Sequence, residues 1–219
     1  MRTSQPQSHQ RFPLTTILGT GGNVRLLRVL AVHGGPLSAP RLARDAGLSP
    51  VGTRAALAGL VEQGVVMALG HAHAHLYALN PAHPLTAPIQ ALFAQERSQW
   101  DALQEDLRAV LARFHRVKAA WLYGSAARGD DRPGSDLDIA LAVAGDDEVT
   151  TAESVREAMQ PIENRYQVVI SIVALTPADI LNRVETDPWW AEVARDGLAL
   201  KAAAPERYVS QLRRAAVTA

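Results

Sequence analysis

Between Trp121 and Ala140 an apolar run breaks at Gly124-Ser125, passes Arg128-Gly129 and a polar loop, and resumes at Asp136-Leu137-Asp138-Ile139-Ala140. That order fits a strand, a tight corner into a short helix, a loop and a second strand. Gly124 lets the backbone turn at the strand end, and Ser125 then opens a helix, where free N–H groups and the helix dipole favour an anion. Arg128 follows one turn on and can reach the same anion. Asp136 and Asp138 are spaced i, i+2 at a strand start, so both carboxylates face one side of the sheet. Two like charges that close are costly unless a cation lies between them. Mg²⁺ suits such a pair, because it takes one or two carboxylates and fills its other positions with phosphate oxygens and water.

The elements around this run alternate. Ala119–Tyr123, Leu137–Val143 and Val168–Leu175 are predicted strands. Helices are expected at Thr150–Glu163, Pro177–Val184 and Pro188–Arg195, an order that implies an α/β sheet. From about Ala203 the chain reads as a weakly ordered tail.

The first third has a different pattern. Apolar residues at Val24, Leu27, Val29 and Leu30 mark a short amphipathic helix over Asn23–His33, which Gly34-Gly35-Pro36 ends. Ser38 begins a second helix closed by Gly47. Ser49 caps a third, with Pro50 at its first position, Val51, Leu57, Leu60 and Val61 inward, and a stop near Gly64. Val65–Leu69 and His75–Leu79 read as two strands about a turn at Gly70-His71. Between the two regions, Pro84 and Pro88 precede a long helical stretch from Ile89 to about His115. Its stripe of Phe93, Trp100, Leu103, Leu107, Val110 and Phe114 fits either a seam between two copies of the chain or a packing strip against the following domain.

Charge follows the same division. Residues 1–84 hold seven arginines against Asp45 and Glu62, a balance of +5, and the remainder is −5, so the chain is neutral overall. A basic first third points to a polyanion facing it. Thr53 and Arg54, early in the third helix, are the candidates for the major groove, with Arg41 and Arg44 on the second helix for phosphates and Arg25 and Arg28 on the first. His71, His73 and His75 alternate in the hairpin and read as a solvated tip rather than a metal site. Trp189 and Trp190 read as anchors of the last helix. The absence of cysteine removes disulfides, thiolate metal sites and cysteine nucleophiles. Met1–Pro13 is polar, without the apolar centre of a signal peptide, and no apolar run reaches the roughly 20 residues of a membrane span. A soluble, cytoplasmic protein is expected.

Two resemblances follow from these residues. The segment Leu37–Val66, with its small second helix, Gly47-Leu48-Ser49 turn and longer third helix ending in Gly64, resembles a winged helix-turn-helix over about residues 14–82. Gly124-Ser125, Arg128-Gly129 and Ser135-Asp136-Leu137-Asp138 resemble the signature of the DNA polymerase β-like nucleotidyltransferases over about residues 117–185, the minimal nucleotidyltransferases being the nearest branch. The second resemblance implies a mixed sheet flanked by helices. Gly124, Ser125, Arg128 and Ser135 would hold a nucleoside triphosphate, and Asp136 and Asp138 would be the catalytic acids, holding Mg²⁺ or Mn²⁺. The pair together resembles nucleotidyltransferase-domain transcriptional regulators. The organisation expected is a tail over 1–13, a winged helix binding double-stranded DNA over 14–84, a linker helix over 85–117, the nucleotidyltransferase-like domain over 118–202 and a tail over 203–219.

One departure stands out. Active members of the superfamily place a third carboxylate on a later strand, where it helps activate the attacking hydroxyl. The strand Gln167–Leu175 carries no acid; Gln167, Val169, Ser171 or Val173 falls at that place, and Ser171 aligns best. A serine alone is no general base at neutral pH. Asp130, Asp131 and Glu163 are the acids that a loop would have to bring in. Nucleotide binding is therefore better supported than turnover, and two readings stand: a transferase acting on a hydroxyl acceptor, or a regulator whose transferase fold senses nucleotide or holds a protein partner. An antitoxin-like role follows only from what minimal nucleotidyltransferases do as a family.

Overall fold

The computed structural model describes residues 10–70, 75–145 and 147–218. The chain divides into two compact units, Met1–Gln99 and Trp100–Ala219. The expected tail over 1–13 lies mostly outside the described residues, as does the hairpin tip with His71 and His73.

The first unit is a winged helix-turn-helix. After a single turn, α1 (Leu14–Ile17), come α2 (Gly21–His33), β1 (Leu37–Ser38), α3 (Ala39–Asp45), α4 (Pro50–Glu62), β2 (Val66–Leu69) and β3 (Leu76–Leu79). The hydroxyls of Thr20, Ser38 and Ser49 cap α2, α3 and α4, each accepting from the amide three residues on. The strands form an antiparallel sheet in the order β1-β3-β2. Leu26, Leu27, Leu30, Leu42, Leu57 and Leu60 make its core, joined by Ile89 and Phe93 from the start of the long helix α5 (Thr86–Ala112).

The second unit is a mixed sheet between two helical layers. Its elements are the end of α5, β4 (Val117–Tyr123), α6 (Gly124–Arg128), β5 (Leu137–Val143), α7 (Glu148–Tyr166), β6 (Ile170–Leu175), α8 (Pro177–Arg183), α9 (Pro188–Asp196), β7 (Leu198–Lys201) and α10 (Pro205–Thr218). The strand order is β6-β5-β4-β7, with β5 and β6 parallel and the other pairs antiparallel. Strand alternation divides the side chains between two cores. Leu137, Ile139, Leu141 and Val143 face one, with Leu103, Leu107 and Leu111 of α5 and Val155 and Met159 of α7. Ala140 and Ala142 face the other, with Ala119, Trp121, Tyr123, Ile180, Trp190 and Val193. A bulge between Val117 and Ala119 shifts the register of β4 and accounts for Val117 facing the first core while Ala119 faces the second.

Three features differ from the sequence reading. Residues 205–218 form α10 rather than a tail, because Tyr208 and Val209 are buried in the second core and the Tyr208 ring lies edge-on to Trp121 at 5.3 Å. The short strands β1 and β7 were not expected; both are too brief to show a period. The stripe along α5 is divided, with Phe93 in the first unit's core, Leu103 and Leu107 in the second's, and Trp100 on the surface.

Candidate functional site

Asp138, the second residue of β5, stands opposite Tyr123 of β4 and Ser171 of β6. Partners in register share a face, so Tyr123, Asp138 and Ser171 form a row across three strands, on the face of Trp121 and Ala140. Of Gln167, Val169, Ser171 and Val173, Ser171 is the residue in register with Asp138.

Gly124 closes over this row. Its φ is +75°, and a Cβ on it would lie 2.6 Å from Asp138 Oδ2. The turn requires a left-handed residue and the carboxylate requires an empty space, so glycine answers both. No side chain caps α6, which leaves its first amides uncovered by a capping group. Burial pushes the Asp138 carboxyl above its ordinary range, and the negative charges of Asp136 and Glu192 push it further, with Arg128 opposing. Asp136 is exposed just before β5. Among the described residues no group of three or more His, Cys, Asp or Glu is gathered closely enough to hold a metal ion. A cation here would have two protein carboxylates and would need oxygens from a ligand or water to complete its shell, which is the donor set Mg²⁺ and Mn²⁺ accept.

The remaining site residues have other partners. Arg128 donates from Nη1 to Glu192 Oε1 and Asp196 Oδ2, both at 2.8 Å, and lies 3.4 Å from Asp130. The expected phosphate role thus meets competition from two acids of α9. These acids raise the Arg128 pKa, and Asp196, bonded also by Arg195, is held well below the carboxylate range. Ser135 Oγ accepts from the Arg132 amide at 3.0 Å and closes the Pro133-Gly134 turn. Glu163 accepts from the Ile170 amide at 2.7 Å and from Gln160, so it is already committed elsewhere.

Glu192 is the residue that sequence reasoning missed. It was hidden in a helix that is amphipathic in the ordinary way, and only the tertiary packing of α9 on β4 brings its charge to bear on Asp138 and Tyr123. Trp190 is buried as expected; Trp189 is half-buried and donates from Nε1 to the Tyr123 hydroxyl at 3.0 Å.

In the first unit the assignments on α4 change. Thr53 is 1 % exposed and Val51 70 %, the reverse of the sequence reading. The inward set is Thr53, Leu57 and Leu60, spaced four and three, so the buried face begins one turn from Ser49 and not at Val51. Thr53 cannot reach a base edge. Arg54 is exposed, its Nε donating to Pro50 O at 3.2 Å. Arg41 and Arg44 are exposed on α3, where both meet Asp45. Arg28 is held by Glu96 at 2.6 Å.

Residues 105–186 match the family described as polymerase beta, nucleotidyltransferase. That segment is a nucleotidyltransferase domain of the polymerase beta type, and the chain joins it to a winged helix. No curated protein matches the chain. Among solved structures, a toxin-antitoxin with AMP-PNP is 17 % identical over 52 % of this chain and 87 % of its own, with a TM-score of 0.37. The AntR antimony-specific transcriptional repressor is 17 % identical over 46 % of this chain and 91 % of its own, with a TM-score of 0.37. A protein described as a predicted DNA-binding transcriptional regulator from E. coli is 24 % identical over 41 % of this chain and 87 % of its own, with a TM-score of 0.33.

Proposed function

We propose that the second unit binds a nucleoside triphosphate together with Mg²⁺ or Mn²⁺ and transfers its nucleoside monophosphate to a hydroxyl, and that the winged helix binds double-stranded DNA. The observation that supports the first part is the Gly124 backbone pressed against Asp138, with Asp136 beside it, a cradle in which one bound cation relieves two like charges. Asp136 and Asp138 hold the metal; the backbone of Gly124 and Ser125 receives phosphate oxygens, with Arg128 and Ser135 at the rim. When bound, the metal would neutralise charge on the phosphates and ease loss of the acceptor hydroxyl's proton. For DNA, the supporting feature is the excess of arginine in residues 1–84, with Arg54 exposed on α4 and Arg41 and Arg44 on α3.

A second reading is favoured by Ser171. With serine in register with Asp138, the unit would sense nucleotide or hold a protein partner without turnover, and the winged helix would act as a cytoplasmic regulator. Incubation with α-labelled triphosphates, Mn²⁺ and candidate acceptors separates the two. Label transfer that Asp136→Ala/Asp138→Ala abolishes establishes the transferase; triphosphate binding without transfer establishes the sensor; neither refutes both. For the DNA arm, Arg54→Ala should weaken sequence-selective binding by about 1–3 kcal/mol, and unchanged affinity removes α4 as the reading helix.

A further inference from the structure

Helix α9 lies beyond residues 105–186, the part that matches the nucleotidyltransferase family. Trp190 and Val193 seat it in the core on the Asp138 face. Its other residues meet the site at two points one turn apart. Trp189 donates to the hydroxyl of Tyr123, the residue opposite Asp138, and Glu192 accepts from Arg128, the last residue of the helix that Gly124 opens. Residues three apart lie on one side of a helix, so Trp189 and Glu192 present a common edge to the site. The Glu192 side chain is 37 % exposed and accessible to an incoming group. The two acids that α9 places on Arg128 differ: Asp196 is 7 % exposed and also bonded by Arg195, whereas Arg128 is the partner found for Glu192. Asp196 is thus the fixed anchor of Arg128, and Glu192 is the partner that can exchange.

We propose that Glu192 is the third acid of the site and receives the proton of the acceptor hydroxyl, a role that Ser171 cannot fill from β6. The inference rests on the transfer reading above. The acceptor oxygen forms a bond to the α-phosphorus as the bond from that phosphorus to the bridging oxygen breaks. Pyrophosphate leaves with that electron pair, and the hydroxyl proton passes to the Glu192 carboxylate and then to water. When phosphate oxygens draw on Arg128, Asp196 keeps the guanidinium in place and Glu192 is released toward the row of Tyr123, Asp138 and Ser171. The charge of Glu192 already acts on Asp138 and on Tyr123, in agreement with this placement.

The test compares wild type, Glu192→Gln and Glu192→Gln/Ser171→Asp. Glutamine still accepts a hydrogen bond from Arg128 but takes no proton. Pyrophosphate release from ATP with Mn²⁺ is followed, water and the chain's own hydroxyls serving as acceptors. A non-hydrolysable ATP analogue is titrated in parallel, and thermal unfolding is recorded. Glu192→Gln should lower kcat about 100-fold or more, the range for loss of a general base, while KM, analogue affinity and Tm hold. Adding Ser171→Asp, which puts a carboxylate in register with Asp138, should restore at least tenfold of that loss. A Glu192→Gln enzyme with unchanged kcat overturns the inference. So does a loss of analogue affinity in step with kcat, which would make Glu192 only a support for Arg128. A wild type that binds the analogue but releases no pyrophosphate overturns the base role and leaves the nucleotide site standing; one that binds no analogue refutes the underlying reading.

Discussion

Replacing Gly124 by alanine puts a number on how closely the corner and the carboxylate are matched. Two costs arise. The first is backbone: at φ +75° an L side chain costs roughly 1–2 kcal/mol. The second is contact: the new Cβ would stand 2.6 Å from Asp138 Oδ2, well inside the roughly 3.5 Å at which non-bonded heavy atoms rest. The carboxylate must retreat by about 1 Å to restore that spacing. Gly129 provides the control, since its φ is +77° but nothing lies within 4 Å of an added Cβ. Gly129→Ala should therefore lose roughly 3–10 °C in Tm for a unit of this size from the backbone alone, and Gly124→Ala at least as much, since the contact adds to it.

Only Gly124→Ala should damage the site. Mg²⁺ tolerates little deviation from near-ideal ligand distances, and a 1 Å misplacement costs on the order of 100-fold in a site that depends on position. The assay is calorimetric titration of a non-hydrolysable triphosphate analogue with Mg²⁺, beside thermal unfolding by circular dichroism. Equal loss of affinity in Gly124→Ala and Gly129→Ala would refute the contact reasoning. Undiminished affinity in Gly124→Ala would show that Asp138 is not placed by the glycine.

Two further substitutions test the chemistry of single groups. Because the Asp138 carboxyl is raised on folding, the native state holds its proton more tightly than the unfolded chain, and stability falls as pH climbs from the ordinary carboxylate range through the raised value. Asp138→Asn should thus unfold at a higher temperature than wild type at pH 7, with the difference closing in acid, while metal-dependent triphosphate binding is lost; a less stable variant at pH 7 contradicts this. In the first unit, Thr53 Oγ1 is buried without a hydrogen-bond partner, so Thr53→Val removes a desolvated hydroxyl worth about 1–3 kcal/mol. Tm should rise with DNA affinity unchanged, and weakened DNA binding would restore Thr53 as a contact residue.

The legible parts of the fold are those with local signals. Ser38, Ser49 and Pro50 fix two helix starts, and the Gly124-Ser125 corner with Asp136 and Asp138 fixes a strand, a helix and a second strand. The parallel pairing of β5 and β6, which sets Ser171 opposite Asp138, is a tertiary feature with no local signal. The inward face of α4 was misread because Val51 is the more apolar residue while Thr53 has the right angular position; periodicity with Leu57 and Leu60 outweighs hydrophobicity at a single site. Helix α10 was missed because its apolar face is narrow, with Tyr208 and Val209 as its buried pair, and little in the local sequence announces that Trp121 awaits them.

Glu192 was beyond sequence reasoning for a physical reason. A side chain reached through tertiary packing leaves no spacing to read, whereas the paired aspartates announce themselves at i, i+2. What the sequence does contain is the framework that delivers it. Asp187 Oδ1 accepts from the Trp189 amide and Pro188 starts the helix, so the beginning of α9 is fixed. Trp190 and Val193, three apart, bury one face, which sends Trp189, Glu192 and Asp196 to its border at spacings of three and four. Each of these border residues finds a partner on the strand–corner–helix unit of Tyr123 to Arg128. Chain that ends at 186 would retain both aspartates yet lose the aromatic cover over Tyr123, the two α9 acids on Arg128 and the closing strand β7. On the transfer reading, the unit that would do the chemistry is therefore larger than the segment that carries the signature, because α9, which packs on that site, lies beyond it.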